Sequence, residues 1–266
     1  MNEGVMITQA KRIVVKVGTS TLTHKTGMIN IRLLERLVKV LSDLKNSGRQ
    51  VILVTSGAIA VGVGKLGLAQ KPADIPGKQA TAAVGQCELM YLYDRYFSEY
   101  NHTVAQILLT GYTMDNPEAR DNARNTFEAL LAMGAIPVVN ENDTVATEEI
   151  RVGDNDTLSA MVAEMTSADA LIILSDIEGL YTADPGEHPD AVLVPVVERI
   201  TEELLESAGG AGSARGTGGM VTKLRAARIA TDAGVEMYIM NGQNPDRLYD
   251  LLEGMPVGTR FLANQA

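Results

Sequence analysis

The chain has 266 residues, 45% of them hydrophobic and 21% charged, with a formal charge of −10 and a single cysteine. That supplies enough apolar residue for one large α/β domain, and it excludes a disordered chain, a disulfide-stapled miniprotein and, since Cys87 has only His24, His102 and His188 beside it, a zinc cluster. The acidic balance opposes broad binding to nucleic acid or to an anionic membrane, no stretch is apolar enough to span a bilayer, and the lone thiol suits a reducing, cytoplasmic compartment.

The first predicted strand, Arg12 to Val17, carries Lys16 among apolar neighbours and runs into Gly18-Thr19-Ser20. An ammonium in such a strand needs a partner, so Lys16 either snorkels at an edge or faces an anion. The amphipathic stretch Ile31 to Asn46 predicts a helix, and a second strand, Val51 to Val54, leads through Thr55-Ser56-Gly57-Ala58 into another. Free backbone N–H groups at such a turn, with the partial positive charge of the helix start, suit a phosphate or a carboxylate. Gly62, Gly64 and Gly67 satisfy GxGxxG but stand well past the strand, within or after a helix, which argues against a dinucleotide fingerprint; Leu66 after Lys65 argues against a Walker A loop. A long helix from Gly77 to Tyr100 holds five of the eleven aromatic residues. Tyr93, Tyr96 and Tyr100 share one of its faces and read as core or subunit-contact packing.

Strands are next expected at Val104 to Leu109 and Ala135 to Val139. Residues 140–157 then mix Asn140, Asn142 and Asn155 with six carboxylates and one Arg. The spacing fails the EF-hand rule, because Ser159 stands where Gly would have to turn the loop. Asp side chains can accept from an ammonium while Asn amides serve either end of a zwitterion, so this segment suits an amino acid as ligand. A helix, then a strand from Leu171 to Leu174, follow. A glycine-rich loop, with six glycines in residues 209–219, precedes a helix from Met220 to Ala233 whose first turn holds Lys223. So much glycine fits close approach to a ligand or motion, and Lys223 adds a cationic arm beside the helix N-terminus. The last clear strand is Glu236 to Met240. Strands alternating with helices predict a mostly parallel sheet, in one domain of two lobes divided near Thr166.

Five segments in order, IVVKVGTSTLT, VILVTSGAIAVG, NENDTVATEEIRVGDNDTLSA, LSDIEGLYTADP and GTGGMVTKLRAA, make the chain similar to the glutamate 5-kinases of the amino acid kinase family from about Lys11 to Phe261. The resemblance implies an αβα sandwich with a mainly parallel open central sheet, residues 1–166 forming a glutamate-binding lobe and 167–266 a nucleotide-binding lobe. It implies ATP and Mg²⁺ as cofactors, the metal's ligands being unassigned, and transfer of the γ-phosphoryl group to the side-chain carboxylate of L-glutamate, the first step of proline synthesis. Carried over by position, Lys16 and Lys223 would stabilise the transferring phosphoryl group and Asp156 would organise both lysines. Ser56, Gly57, Asn140, Asp143, Asp154 and Asn155 would bind glutamate. Lys16, Gly18, Ser175, Asp176, Thr217, Gly218, Gly219, Met220, Val221, Thr222 and Lys223 would bind the nucleotide.

A carboxylate is already a nucleophile, so a Ser-His or Cys-His constellation is not required. The difficulty is bringing two anions together, which calls for positioning and charge neutralisation. Inhibition by proline, a dimer or tetramer, and association with the reductase that consumes glutamyl phosphate are further implications. Many members carry an additional C-terminal PUA domain, resembling an RNA-modification module, and this chain reads as a form without it. Ser175 stands where Thr is frequent. Rival readings are a kinase for aspartate or N-acetylglutamate and a catalytically silent amino-acid sensor. Asp143 and Asp154 suit a free ammonium rather than an acetylated one, and a sensor would have no use for Lys16, Asp156 and Lys223 together.

Overall fold

The computed structural model describes residues 7–24, 26–145, 154–208 and 219–264. Up to residue 145 the elements are β1 (Arg12–Val17), α1 (Thr19–Leu22), α2 (Ile31–Asn46), β2 (Gln50–Val54), α3 (Ala58–Leu66), α4 (Ile75–Ser98), β3 (Val104–Leu109), α5 (Gly111–Asp115), α6 (Pro117–Ala132) and β4 (Ile136–Glu141). From residue 154 they are α7 (Asn155–Met165), β5 (Ala170–Ser175), β6 (Val196–Val197), α8 (Glu202–Ala208), α9 (Met220–Asp232), β7 (Glu236–Asn241), α10 (Arg247–Leu252) and β8 (Thr259–Phe261). No helix among the described residues is long and apolar enough to cross a membrane.

Local sequence accounts for the longer elements. In α2 the residues Leu33, Leu34, Leu37, Val38, Leu41 and Leu44 recur at helical spacing and are buried. Covering a leucine of this kind contributes about 2 kcal/mol. Asn30 caps the helix by accepting from the Leu33 N–H at 3.2 Å, and Gly48, at φ +93°, takes the left-handed turn that leads the chain out of it. The principal strands are aliphatic and buried along almost their whole length, as strands covered by helices must be.

The chain divides into two compact units, one of Val17–Val152 and one of Met1–Lys16 with Gly153–Ala266. Thr166, where the sequence suggested a division, closes α7 inside the second of these. In the unit of residues 17–152 the strand order is β3-β4-β2, all parallel, with Leu53 opposite Val138 and Leu109 opposite Glu141. In the other the order is β1-β5-β7-β8-β6. There β5 and β7 are parallel over six residues, β8 runs antiparallel to β7, and β6 is parallel to β8. The expected α/β class with a mainly parallel sheet and flanking helices is therefore present, with two short reversed strands, β8 and β6, at one edge.

The six expected strands and the three helices given bounds all occur, with ends shifted by no more than two residues. The short β6 and β8 have no counterpart in the sequence reading, because two or three residues carry no periodicity. One expectation about α4 is corrected. Tyr93 and Tyr96 are buried, but the helix ends at Ser98, so Tyr100 lies beyond it and is exposed.

Candidate active site

Lys16 is the fifth residue of β1, and its buried ammonium lies 2.6 Å from Asp156 Oδ1. Lys223, in the first turn of α9, reaches the same carboxylate from its other side, 3.2 Å from Oδ2. The Thr222 hydroxyl donates to that Oδ2 at 2.9 Å and also approaches the Gly219 carbonyl at 2.8 Å. Asp156 is only 1% exposed. Burial pushes its carboxyl up, but the charges of Lys16 and Lys223 and the Thr222 hydroxyl outweigh that and hold it below the usual carboxylate range. Two buried cations on one carboxylate leave a net positive charge, held in place before any ligand arrives, which suits a phosphoryl group.

Two residues before Asp156, Asp154 caps α7. Its carboxylate accepts from the Thr157 N–H at 2.9 Å and from the Thr157 hydroxyl at 3.0 Å. Burial pushes the Asp154 carboxyl up, and the neighbouring Asp156 charge adds to the shift. The expected substrate residue is thus also a structural cap. Asn155 opens the same helix and is half-buried.

The nucleotide-binding candidates of this unit lie at two strand and helix ends. Ser175 closes β5 opposite Asn241 of β7. Its hydroxyl donates to Asp176 at 3.1 Å, its carbonyl accepts from the Gly242 N–H at 2.7 Å, and Asp176 itself is exposed. Gly219 is the extended residue before α9, and Met220, Val221, Thr222 and Lys223 form that helix's first turn. Among the described residues no side chain caps it, and N–H groups at such a helix start suit an anion. Thr217 and Gly218 lie outside the described residues.

The unit of residues 17–152 holds the other set. Gly18 precedes α1, and the Thr19 hydroxyl donates to Ser56 Oγ at 3.3 Å while Ser56 donates to the Val17 carbonyl at 3.1 Å. Gly57 turns the chain from β2 into α3 at φ +97°, where a side chain would be strained and its Cβ would come within 3.3 Å of Thr19. The turn is tied to β4, since the Thr55 N–H donates to the Val139 carbonyl at 2.9 Å. Next along β4, Asn140 is buried; its Nδ2 donates to Gln86 Oε1 at 2.8 Å, and its Oδ1 accepts from the Glu141 N–H at 2.9 Å. Asp143 follows in the turn after β4 and is half-buried. Ser56, Gly57, Asn140 and Asp143 therefore gather at the carboxyl ends of β2 and β4, where open parallel sheets place ligands.

The contact of Thr222 with Asp156 and the pairing of Gln86 with Asn140 were not anticipated from the sequence. Gln86 did leave a trace there: it is a polar residue on the stripe of α4 that otherwise buries Ala82, Gly85, Leu89, Tyr93 and Phe97. Among the described residues no group of three His, Cys, Asp or Glu side chains is placed to hold a metal ion.

Residues 11–241 match the amino acid kinase family. A glutamate 5-kinase of Clostridium perfringens (strain 13 / Type A) is 54% identical over 260 residues, covering 96% of this chain and 97% of that one. Another, from Moorella thermoacetica (strain ATCC 39073 / JCM 9320), is 53% identical and covers 97% of this chain and 68% of its own. Among solved structures, the isopentenyl phosphate kinase of T. acidophilum in its product complex superposes with a TM-score of 0.64 at 18% identity, covering 94% of this chain and 99% of that one. At that identity the likeness speaks for the fold alone.

Proposed function

The chain belongs to the amino acid kinase family, in its glutamate 5-kinase group, and from that membership and the geometry above we propose that it phosphorylates the γ-carboxylate of L-glutamate with ATP to give L-glutamyl 5-phosphate. The observation that carries the reading is the buried constellation of Lys16, Asp156 and Lys223. Two ammonium groups fixed on one carboxylate, with the uncapped start of α9 beside Lys223, fit the phosphates of a nucleotide. The nucleotide would supply the phosphoryl group, and Mg²⁺ carried on its phosphates would neutralise part of their charge.

The residues divide the work. Lys16 and Lys223 neutralise charge on the transferring group, where the requirement rises toward the transition state. Asp156 keeps both ammonium groups aimed, and Thr222 fixes the rotamer of Asp156. Ser56 and the Gly57 turn offer donors to a carboxylate, while Asp143, Asp154, Asn155 and Asn140 recognise the amino-acid end of the substrate. Ser175, Asp176 and the segment from Thr217 to Lys223 hold the nucleotide. The attacking carboxylate needs no general base, so no proton has to leave it. Action in the cytoplasm as the entry to proline synthesis, inhibition by proline, a dimeric or tetrameric state and hand-over of the acyl phosphate to its reductase belong to the same proposal.

The test is ADP release with Mg-ATP and L-glutamate, L-aspartate or N-acetylglutamate, with hydroxylamine present to trap any acyl phosphate as its hydroxamate. Hydroxamate with glutamate alone is the expected result. Product with one of the other acceptors instead would replace the substrate, and none with any acceptor, despite nucleotide binding, would favour a sensor.

A further inference from the structure

The pairing of Asn140 with Gln86 has a direction. The Glu141 N–H can only donate, so the Asn140 atom facing it at 2.9 Å must be the carbonyl Oδ1. Asn140 must then turn its Nδ2 toward Gln86, and the Gln86 atom 2.8 Å away must be Oε1. A flip of either amide would set donor against donor or acceptor against acceptor. The far end of this relay is Gln86 Nε2, a buried donor with no hydrogen-bond partner among the described residues, on a residue only 7% exposed. Buried amide donors are rarely left unmet, and an exception calls for an explanation.

Its position supplies one. Gly85, the preceding residue, lies where α4 closes onto the first turn of α3, so tightly that a Cβ there would stand 1.7 Å from the Ala58 carbonyl oxygen. Gln86 thus sits beside the helix that the Ser56-Gly57 turn begins, and it is bonded to Asn140 at the end of β4. Both neighbours belong to the set assigned above to the amino acid.

We propose that Gln86 is a substrate-binding residue, whose Nε2 donates a hydrogen bond to a carboxylate oxygen of the amino-acid acceptor while its Oε1 holds Asn140 in register. The inference rests on the proposed glutamate kinase reading, and it adds a neutral donor from α4 to the residues that recognise the substrate.

The experiment compares wild type with Gln86→Glu and Gln86→Met in steady-state assays with Mg-ATP and L-glutamate between pH 6 and 8, with circular dichroism to check folding. Glu keeps the acceptor for Asn140 and replaces the donor by a charge that repels a carboxylate. Gln86→Glu is expected to raise KM for glutamate on the order of 10- to 100-fold, with KM for Mg-ATP and kcat at saturation unchanged. The ratio of its KM to that of wild type should shrink as pH falls, because burial raises the introduced carboxyl above the ordinary range and lets it regain a proton and with it a donor. Gln86→Met should raise KM roughly 10-fold, with no such pH dependence. A wild type that turns over glutamate, with KM unchanged in both variants, would overturn the role of Gln86 alone. Loss of the folded state in both would make it a folding residue and overturn it too. A wild type with no glutamate turnover would remove the kinase reading and this inference with it.

Discussion

Asp156 is ionised against the pull of its own burial, and that sets how the site responds to acid. Its folded pKa lies below the ordinary value, so the stability it contributes is fully present above the usual carboxylate range near pH 4 and is lost as pH falls through the lowered value. Asp156→Asn leaves two buried ammonium groups facing a neutral amide, and a loss of about 3 kcal/mol in urea unfolding at neutral pH is expected. Equal stability would mean that the lysines find other partners. Lys223→Ala should lower turnover on the order of 10²- to 10³-fold with glutamate saturating; near-normal turnover would remove its role in transfer. Asp154 is shifted the other way, so it takes up its proton earlier as pH falls. If it binds the substrate's ammonium, Asp154→Asn should lower kcat/KM for glutamate at neutral pH and flatten the acid limb of its pH profile. An unchanged limb would leave Asp154 as a helix cap alone. Lys16 drew notice in the sequence as a charge in an apolar strand. Thr222 did not as a partner of Asp156, because a hydroxyl's partner is decided by which helix lies opposite.

Among the elements, α3 and α4 are matched through missing side chains. A Cβ at Gly62 would come within 2.0 Å of the Thr81 carbonyl oxygen, and one at Gly85 within 1.7 Å of that of Ala58. These are backbone atoms and cannot swing aside. Gly85→Ala should therefore push the helices apart at a cost of about 2 kcal/mol in thermal or urea melts. Because α3 starts at the Gly57 turn, KM for glutamate should rise more than KM for Mg-ATP, whereas an unaltered melt would show that α4 shifts freely. The strands were legible because runs such as Ile13 to Val17 and Ala170 to Leu174 are buried from end to end. Gly62 and Gly85 are glycines of the helix interior, which a local rule scores only as weak helix formers; the contact that requires them is visible only once both helices are placed.

Across the whole molecule, an excess of ten negative charges faces anionic substrates. The attraction comes from a few buried cations, whereas the repulsion is spread over exposed side chains and is the part that salt screens. Raising KCl from about 10 to 150 mM, over which the Debye length falls from roughly 30 to 8 Å, should increase kcat/KM for glutamate. A steep decrease would show that the local cations govern the approach as well. The order of motifs was legible in the sequence, but the grouping of residues into compact units was not, because which segments enclose a common core depends on contacts far apart in the chain.

Lys16 belongs to the N-terminal segment, yet the unit that contains it is otherwise built from residues after Val152. The stretch between forms a unit that is continuous in sequence. During synthesis Lys16 leaves the ribosome first, and at roughly 5 to 20 residues per second it waits on the order of 10 s for Asp156 to be made, and longer for Lys223. Its ammonium is made long before either partner, so the buried grouping of Lys16, Asp156 and Lys223 closes only once α9 has been synthesised.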